Sequence, residues 1–182
     1  MRARMSVYIA TSLDGFIARA NGDLDWLTAS DDRTTASDYG YQAFMDSVDA
    51  IVMGRYTFEK ALTFDPWPYS GKKVVVLSSR SVAVPQPLAH EVEALSLAPH
   101  DLVAQLSARG CTHLYIDGGK TIQRFLNAGL IDQLIITRIP ILLGDGIPLF
   151  GALDQDVKLT HIETQQFENG FVQSRYSMID TA

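Results

Sequence analysis

Apolar and polar positions alternate in blocks along the chain, and the blocks predict strands and helices in turn. Short runs of β-branched and apolar residues are typical of buried strands, as in "MSVYIAT", "AIVMG", "KKVVVLSS" and "HLYID". Between these runs, apolar residues recur at helical spacing, for example over residues 41–48 after a helix start at Ser37 and Asp38. Strands separated by helices imply a mostly parallel sheet, because parallel neighbours need crossover connections.

The second half of the chain continues this alternation and then departs from it. Residues 99–109 and the stretch "KTIQRFLNA" predict helices, and "QLIITRIPILLG" predicts a long strand in which Pro140 marks a bulge or an edge. Asn169-Gly170, between two short β-rich runs, predicts a closing antiparallel hairpin. The pattern predicts one α/β domain over residues 1–182, with helices on both faces of a mostly parallel sheet.

Composition and charge exclude several functional classes. The 182 residues are 47% hydrophobic and 20% charged, as in ordinary globular proteins, and the net charge of −6 argues against a general nucleic-acid or anionic-membrane surface. Cys111 is the single cysteine and we expect it to be a buried structural thiol, while the four histidines are scattered, so we predict no metal site. The N-terminus has no signal-like apolar stretch, and we expect residence in the cytoplasm.

Three segments share one format, in which an apolar strand is followed by small or hydroxyl residues and then by a cation. They are "IVMGRYT", "VVVLSSR" and "LYIDGGKT". In a parallel sheet the carboxyl ends of such strands lie on one side, where ligands bind. Glycine allows close backbone approach to an anion, helix starts at Thr57 and near Thr121 would add positive dipole ends, and the hydroxyl and cationic side chains would bind phosphate. No P-loop and no G-x-G-x-x-G motif is present.

The same residues resemble a known family. "MGRYTFE", "LSSR" and "DGGKTIQRFL" look like motifs of dihydrofolate reductase, and "TSLDGFIA" with "GLIDQLIITRIPILLGDGIPLF" looks like the reductase domain of bacterial riboflavin biosynthesis. The resemblance runs in register over about residues 5–150. It implies a dihydrofolate reductase-like three-layer α/β/α fold, NADPH as hydride donor, and a pteridine- or pyrimidine-like heterocycle as substrate. A homodimer formed through the late strands is also implied.

Carried over residue by residue, the resemblance implies a set of cofactor contacts. Arg55 and Thr57 would hold the 2′-phosphate and diphosphate. The Ala10 backbone would meet the nicotinamide carboxamide, and Ile17 would flank its ring. The remaining implied contacts are Gly54 at the close approach, Ser78, Ser79 and Arg80 beside the adenosine phosphate, and Gly118, Gly119, Lys120 and Thr121 around the diphosphate.

On the substrate side, the resemblance implies that Asp38 is the active-site carboxylate and that Thr137 hydrogen-bonds to it. Read from the sequence alone, Asp38 is also explained as a first-turn helix acid beside the N-cap that interacts favourably with the helix dipole, and Thr137 as a plain strand residue. The polar segment at residues 27–37 is longer than expected for dihydrofolate reductase. The riboflavin-type reductases hold a ribose phosphate with a D-D-P-x-L-T-x-R-like segment, of which "TFDPWPYSG" keeps only Asp65-Pro66 and lacks the arginine.

Several functions remain open at this level. The leading interpretation is an NADPH-dependent reductase similar to 5-amino-6-ribosylaminouracil reductase. The alternatives are a true dihydrofolate reductase, a non-catalytic NADP-binding module, and a structural interaction domain that would leave the three strand-end segments as coincidence. Function resides in the site and not in the fold, so the geometry of the site has to separate these alternatives.

Overall fold

The computed structural model describes residues 2–30 and 37–179. Residues 31–36 of the polar segment at 27–37 lie outside this description. The strands are β1 Arg4–Ser12, β2 Phe16–Ala18, β3 Ala50–Gly54, β4 Lys73–Leu77, β5 Val92–Leu95, β6 His113–Asp117, β7 Gln133–Ile139, β8 Ile147–Pro148, β9 Leu159–Gln166 and β10 Val172–Met178. The helices are α1 Asp25–Ser30, α2 Tyr41–Ser47, α3 Arg55–Ala61, α4 Pro99–Ala108 and α5 Gly119–Asn127, with a 3₁₀ turn at Gln86–Leu88.

Eight strands form one sheet in the order β5-β4-β3-β6-β1-β7-β10-β9. The pairings from β5 to β7 are parallel, whereas β10 runs antiparallel to both β7 and β9. The predicted hairpin around Asn169-Gly170 is confirmed as the turn between β9 and β10. Strands β2 and β8 form a separate two-stranded antiparallel sheet.

Helices cover both faces of the main sheet, which confirms the three-layer arrangement. On one face, Leu102 and Leu106 of α4 and Phe125 of α5 pack on the large buried cluster that contains Val52 and Ile116. On the other face, a second cluster joins α2 and α3 to alternate residues of the same strands through Phe44, Met45 and Phe58. Strands buried on both sides explain the near-continuous apolar runs of the sequence.

Three element boundaries differ from the sequence predictions. Helix α3 begins at Arg55 and not at Thr57, because extended Gly54 precedes the first helical residue directly. Helix α2 begins at Tyr41, since Gly40 takes a left-handed conformation with φ of 83° that ends any helix predicted from Ser37. Strand β7 ends at Ile139, before the predicted limit, because Pro140 has no N–H to donate to the neighbouring strand.

Cys111 was predicted to be fully buried, but the structure shows it half-buried. Burial raises the pKa of its thiol.

In residues 2–30 and 37–179, no helix has the length and the apolar character that crossing a bilayer requires.

Candidate functional site

The three segments singled out in the sequence follow adjacent strands of the sheet. Strand β3 lies between β4 and β6 and is parallel to both. Gly54 pairs with Leu77 at the end of β4, and Met53 pairs with Asp117 at the end of β6, so the three strands end at the same edge. The residues that follow them therefore emerge side by side.

Two glycine–threonine contacts join the two strand-to-helix loops, residues 54–57 after β3 and residues 118–121 after β6, which include the first turns of α3 and α5. A Cβ atom added to Gly54 would lie 3.1 Å from Oγ1 of Thr121, and one added to Gly118 would overlap Oγ1 of Thr57. Gly118 also has a backbone φ of 87°, which residues with a side chain rarely adopt. Each loop therefore supplies a glycine against which the threonine of the other loop packs, and both hydroxyl groups lie between the loops.

The start of α5 presents unbonded donors at this edge. Within the described part of the chain, no acceptor is bonded to the backbone N–H groups of Gly119, Lys120 or Thr121. The first N–H groups of a helix lack intrahelical partners and, with the helix dipole, form a ready anion site. The donors at this position fit a phosphate group.

Cationic side chains lie at the same edge, and they differ in whether an acidic side chain forms an ion pair with them. Arg55 is partly buried, forms an ion pair with Glu59 at 3.1 Å, and lies 4.7 Å from the centroid of the Tyr56 ring. Because the Glu59 side chain is half exposed, this ion pair contributes little to stability, and another anion can readily replace the Glu59 carboxylate beside Arg55. Arg80 and Lys120 are exposed and form no ion pair with any residue that the structure describes.

The serines after β4 are placed less favourably than the threonines. The Ser78 hydroxyl donates to the carbonyl oxygen of Arg80 at 2.8 Å and accepts from its N–H at 3.1 Å. Its hydrogen-bonding capacity is thus largely used within its own turn. Ser79 is exposed at the same strand end.

The small sheet brings the N-terminal residues to the loop after β6. A Cβ atom added to Gly119 would lie 3.0 Å from Cδ1 of Ile17 and 3.2 Å from the carbonyl oxygen of Pro148. The Asp14 carboxylate accepts from the N–H groups of Leu143 at 3.1 Å and Gly144 at 2.7 Å, which ties the turn before β2 to the chain before β8. Ile17 therefore lies against the start of α5. Its predicted position beside the nicotinamide ring stays a prediction.

A cavity of about 370 Å³ opens on the opposite side of β1 from the start of α5 and holds the candidate substrate residues. This volume is within the range of small-ligand pockets. The lining residues are Tyr8, Ala10, Leu27, Ser37, Asp38, Tyr39, Tyr41, Thr137, Ile139 and Phe171. Ala10 and Thr137 are register partners on adjacent strands, so the cavity includes the residue expected to meet the nicotinamide.

Asp38 lies at the cavity, but its carboxylate is held as a helix-capping group. Its oxygens accept from the N–H groups of Gly40 at 2.9 Å and Gln42 at 3.0 Å. These bonds, that from Gln42 first, lower the pKa of Asp38, so the group is anionic and a poor proton donor at neutral pH. Among the described residues no hydrogen bond joins it to Thr137, whose hydroxyl instead accepts from Nε2 of Gln173 at 3.0 Å.

The aromatic side chains near the cavity differ in their surroundings. Tyr41 lines the cavity, whereas Trp26 is only 2% exposed and packs with Ile139 and Phe171 in a third buried cluster. Tyr8 donates its hydroxyl hydrogen to the carbonyl oxygen of Tyr39 at 2.7 Å. Four of the ten lining residues, Tyr8, Tyr39, Tyr41 and Phe171, are therefore aromatic.

Asp117 is a candidate functional residue that the sequence reasoning missed. It ends β6 directly before Gly118, is 9% exposed, and accepts from the Tyr69 hydroxyl at 3.1 Å and from the Gly118 N–H at 2.8 Å. Burial raises the pKa of this carboxyl group. Burial, together with the nearby Asp117, also raises the pKa of Tyr41 to about 12. The signal was present in "HLYID", where an acidic residue closes an apolar strand just before two glycines.

The donor set does not point to a metal. In residues 2–30 and 37–179, no group of three or more His, Cys, Asp or Glu side chains is arranged to hold an ion.

Comparison with known proteins assigns the chain to a family. The model of the RibD C-terminal domain matches residues 5–173. The chain belongs to the RibD C-terminal domain family. It is 35% identical over 169 residues to the uncharacterized protein YwjB of Bacillus subtilis, covering 92% of this chain and 94% of YwjB. The family is related to riboflavin biosynthesis and to dihydrofolate reductase-like folds, as the sequence motifs predicted.

Solved structures support the same assignment. A protein of Shewanella sp. PV-4 that is named after riboflavin biosynthesis superposes with a TM-score of 0.91 at 44% identity, over 97% of this chain and 99% of that one. Dihydrofolate reductase from Enterococcus faecalis, which was solved with NADP(H), gives a TM-score of 0.66 at 17% identity over 99% of this chain and all of that one. The second likeness shows the fold alone.

Proposed function

We propose that this RibD C-terminal domain protein is an NADPH-dependent reductase that transfers hydride to a pteridine- or pyrimidine-like heterocycle, in the manner of a 5-amino-6-ribosylaminouracil reductase. The observation that carries the proposal is the unbonded start of α5 beside Thr57 and Thr121, at the edge where three parallel strands end. Donors, hydroxyl groups and cations at one sheet edge suit a cofactor with several phosphate groups.

Different residues at this edge would contact different parts of NADPH. The N–H groups of Gly119, Lys120 and Thr121 would donate to the diphosphate, and the two threonine hydroxyl groups would add donors between the loops. The remaining contacts would be Arg55, Ser78, Ser79 and Arg80 toward the adenosine phosphate, and Ala10 and Ile17 toward the nicotinamide. NADPH, when bound, supplies the hydride.

Different residues of the chain would orient the substrate and supply the proton. Asp38 is anionic and lines the cavity, so we assign it to orienting a ring N–H group. Reduction of a C=N bond also requires a proton at nitrogen. We assign its supply to the buried carboxyl group of Asp117, which ends β6 directly before the proposed phosphate-binding start of α5 and acts electrostatically on the cavity-lining Tyr41. Thr137 would donate its hydroxyl hydrogen to the substrate, since its oxygen already accepts from Gln173.

Two alternatives share this cofactor site. A true dihydrofolate reductase would reduce dihydrofolate at the same cavity, and a non-catalytic module would bind NADPH without turnover. The position of Asp117 favours an enzyme over a module. The residue is a buried acid directly before the proposed phosphate-binding start of α5, and buried carboxyl groups at such positions are typical of catalytic sites.

Titration with NADPH and with NADH tests the proposal. At 100 times its dissociation constant, NADPH should add about 2.7 kcal/mol to the free energy of unfolding, and it should quench the fluorescence of Trp26 and Trp67. Arg55→Ala should weaken NADPH binding more than NADH binding. Arg124→Ala, which removes an exposed cation from the far end of α5, is the matched control and should bind both nucleotides as the wild type does. Failure to bind either nucleotide would refute the proposal.

Homodimerisation and residence in the cytoplasm stay predictions. Every residue of the edge strand β9 is exposed, so pairing of this strand with a second copy would cover its free backbone groups. Light scattering after gel filtration measures the oligomeric state directly.

A further inference from the structure

Asp117 is the only buried carboxylic acid in the part of the chain that the structure describes. Its two oxygen atoms have different partners. The N–H group of Gly118 donates to Oδ1 at 2.8 Å, and the Tyr69 hydroxyl group lies 3.1 Å from Oδ2. A buried polar atom that loses its partner costs stability, so both contacts have to persist when the charge of Asp117 changes.

The two partners decide which oxygen atom of Asp117 carries the proton. The backbone N–H group of Gly118 is a donor only, so Oδ1 has to remain an acceptor in both charge states. A tyrosine hydroxyl group is both a donor and an acceptor, and its hydrogen can turn. In the neutral acid the proton therefore lies on Oδ2 and is donated to Oη of Tyr69. In the carboxylate the direction of this bond is reversed, and the hydroxyl group donates to Oδ2.

The Tyr69 ring is fixed by the segment that follows α3. In "PWPY", Pro66 and Pro68 have fixed φ angles and restrict the residues before them. The Trp67 ring meets the Tyr69 ring edge-on with centroids 5.3 Å apart, and it meets the Phe58 ring of α3 at 5.9 Å. Because Phe58 is completely buried, the three rings connect Tyr69 to the core.

The turn after Tyr69 is anchored as well. The N–H group of Lys72 donates to the carbonyl oxygen of Tyr69 at 3.0 Å. The N–H group of Gly71 donates to the Glu91 carboxylate at 2.9 Å, and Nζ of Lys72 donates to the carbonyl oxygen of Val48 at 2.9 Å. A side chain that packing and hydrogen bonds hold on both sides can fix a functional group in one geometry.

We propose that Tyr69 is the positioning residue of Asp117. Its hydroxyl group holds the carboxyl proton on Oδ2 before transfer and donates to the same oxygen atom once the proton has left. The inference rests on the proposed function, in which Asp117 supplies the proton. Proton transfer breaks the O–H bond of Asp117 and forms an N–H bond on the substrate, while the electron pair of the broken bond stays on the carboxylate. The hydride that completes reduction of the C=N bond comes from NADPH, which is oxidised to NADP⁺.

Tyrosine hydroxyl groups face Asp117 from three elements. They are those of Tyr69, of Tyr115 in β6 and of Tyr41 in α2, and burial and then the charge of Asp117 raise the pKa of each. Asp117 therefore ionises before any of them as the pH rises. Tyr115 donates its hydroxyl hydrogen to the carbonyl oxygen of Tyr8 at 2.8 Å. Burial raises the pKa of Asp117, and the hydrogen bond from Tyr69 is one of those that oppose this rise.

Tyr69→Phe keeps the ring and removes only the hydroxyl group. The ¹³C NMR signal of the Asp117 carboxyl carbon, assigned with Asp117→Asn, measures the protonation of this acid in the full-length protein. Its titration midpoint should move to higher pH in Tyr69→Phe, because the carboxylate has lost a donor. Tyr176→Phe removes a hydroxyl group from β10 outside the cavity and, as the matched control, should titrate as the wild type does. An unmoved midpoint in Tyr69→Phe would overturn the inference.

The reaction rate gives a second readout, with NADPH and either 5-amino-6-ribosylaminouracil or dihydrofolate as the hydride acceptor. Tyr69→Phe should lower kcat by about tenfold to a hundredfold, the range expected for a hydrogen bond to a charged group. KM for NADPH should change by less than about twofold, because Tyr69 acts on the acid. In the Asp117→Asn background, Tyr69→Phe should not lower kcat further, because residues that act as a unit are not additive. An equal loss in both backgrounds would overturn the inference.

Binding of the cofactor is read separately. If NADPH binds and Tyr69→Phe changes neither the NMR midpoint nor kcat, the positioning role fails while the proposed function stands. If NADPH does not bind to the wild type, the proposed function fails and the positioning role fails with it. If neither acceptor is reduced, the NMR midpoint decides alone.

Discussion

The Thr57 hydroxyl occupies the space beside the Gly118 backbone into which any larger residue at position 118 would project its side chain. The converse contact, of Thr121 with Gly54, lies on the same sheet edge. The two contacts bring the loops after β3 and β6 into one surface, although 60 or so residues separate them in the chain. A change at either glycine therefore tests both the packing of the loops and the binding of the cofactor.

Gly118→Ala should lower the free energy of unfolding by about 2–4 kcal/mol, because it combines left-handed backbone strain with overlap on Thr57. NADPH affinity should fall as well. Gly22→Ala is the matched control: φ of Gly22 is 86° and no atom lies within 4 Å of the added Cβ, so only the strain of about 1–2 kcal/mol is expected. Equal destabilisation of the two variants in urea would contradict the contact with Thr57.

Asp117→Asn should separate catalytic activity from cofactor binding. Loss of the buried acid should lower the rate of hydride transfer by about 10²–10⁴-fold, while NADPH binding persists. Consumption of NADPH with an accepted heterocycle measures the first effect, and fluorescence titration measures the second. An unchanged rate would remove Asp117 from the chemistry.

The stability of the same variant should depend on pH in a defined direction. Because burial raises the pKa of Asp117, the wild-type stability linked to its protonated form is fully present below about 3.9 and is lost as the pH rises through the folded-state value. Asn has no proton to lose. The stability of Asp117→Asn relative to the wild type should therefore increase with pH, as urea unfolding at several pH values would show.

Asp49→Asn should have the opposite pH dependence. The Asp49 carboxylate accepts from the N–H groups of Thr112 at 2.7 Å and His113 at 2.9 Å, and these bonds lower its pKa. The stability they contribute is present above about 3.9 and is lost as the pH falls through the folded-state value. The variant should lose less stability than the wild type on acidification; identical acid unfolding curves would refute this.

Gln173→Met should lower the free energy of unfolding by about 1–3 kcal/mol, because it removes the donor to the hydroxyl groups of Tyr8 and Thr137. In a Thr137→Val background the loss should be smaller by at least about 0.5 kcal/mol, as expected for coupled residues. Gln165→Met, at an exposed position of β9, is the control and should change stability by no more than about 0.5 kcal/mol. If the effects of Gln173→Met and Thr137→Val on the free energy of unfolding are strictly additive, the two residues are not coupled.

Local patterns in the sequence were sufficient to predict the class of fold and to locate the three segments at strand ends. Apolar runs reported which strands are buried on both faces, and Asn169-Gly170 reported the closing hairpin, because both signals depend on residues close together in the chain. The boundaries of helices and strands were predicted less accurately. Gly40 and Gly54 decided the starts of α2 and α3 through their backbone conformation, and Pro140 decided the end of β7 because it has no N–H group to donate.

The order of the strands and the contents of the site were decided by tertiary structure. Pairing of β3 with both β4 and β6 places Thr57 against Gly118, and folding of the segment after α3 places Tyr69 on Asp117. The sequence by itself determined the three strand-end segments and the strands that they follow. Only the folded chain decided that Asp38 is an exposed capping carboxylate and Asp117 a buried acid, because desolvation and hydrogen bonding depend on neighbours that lie far apart in the chain.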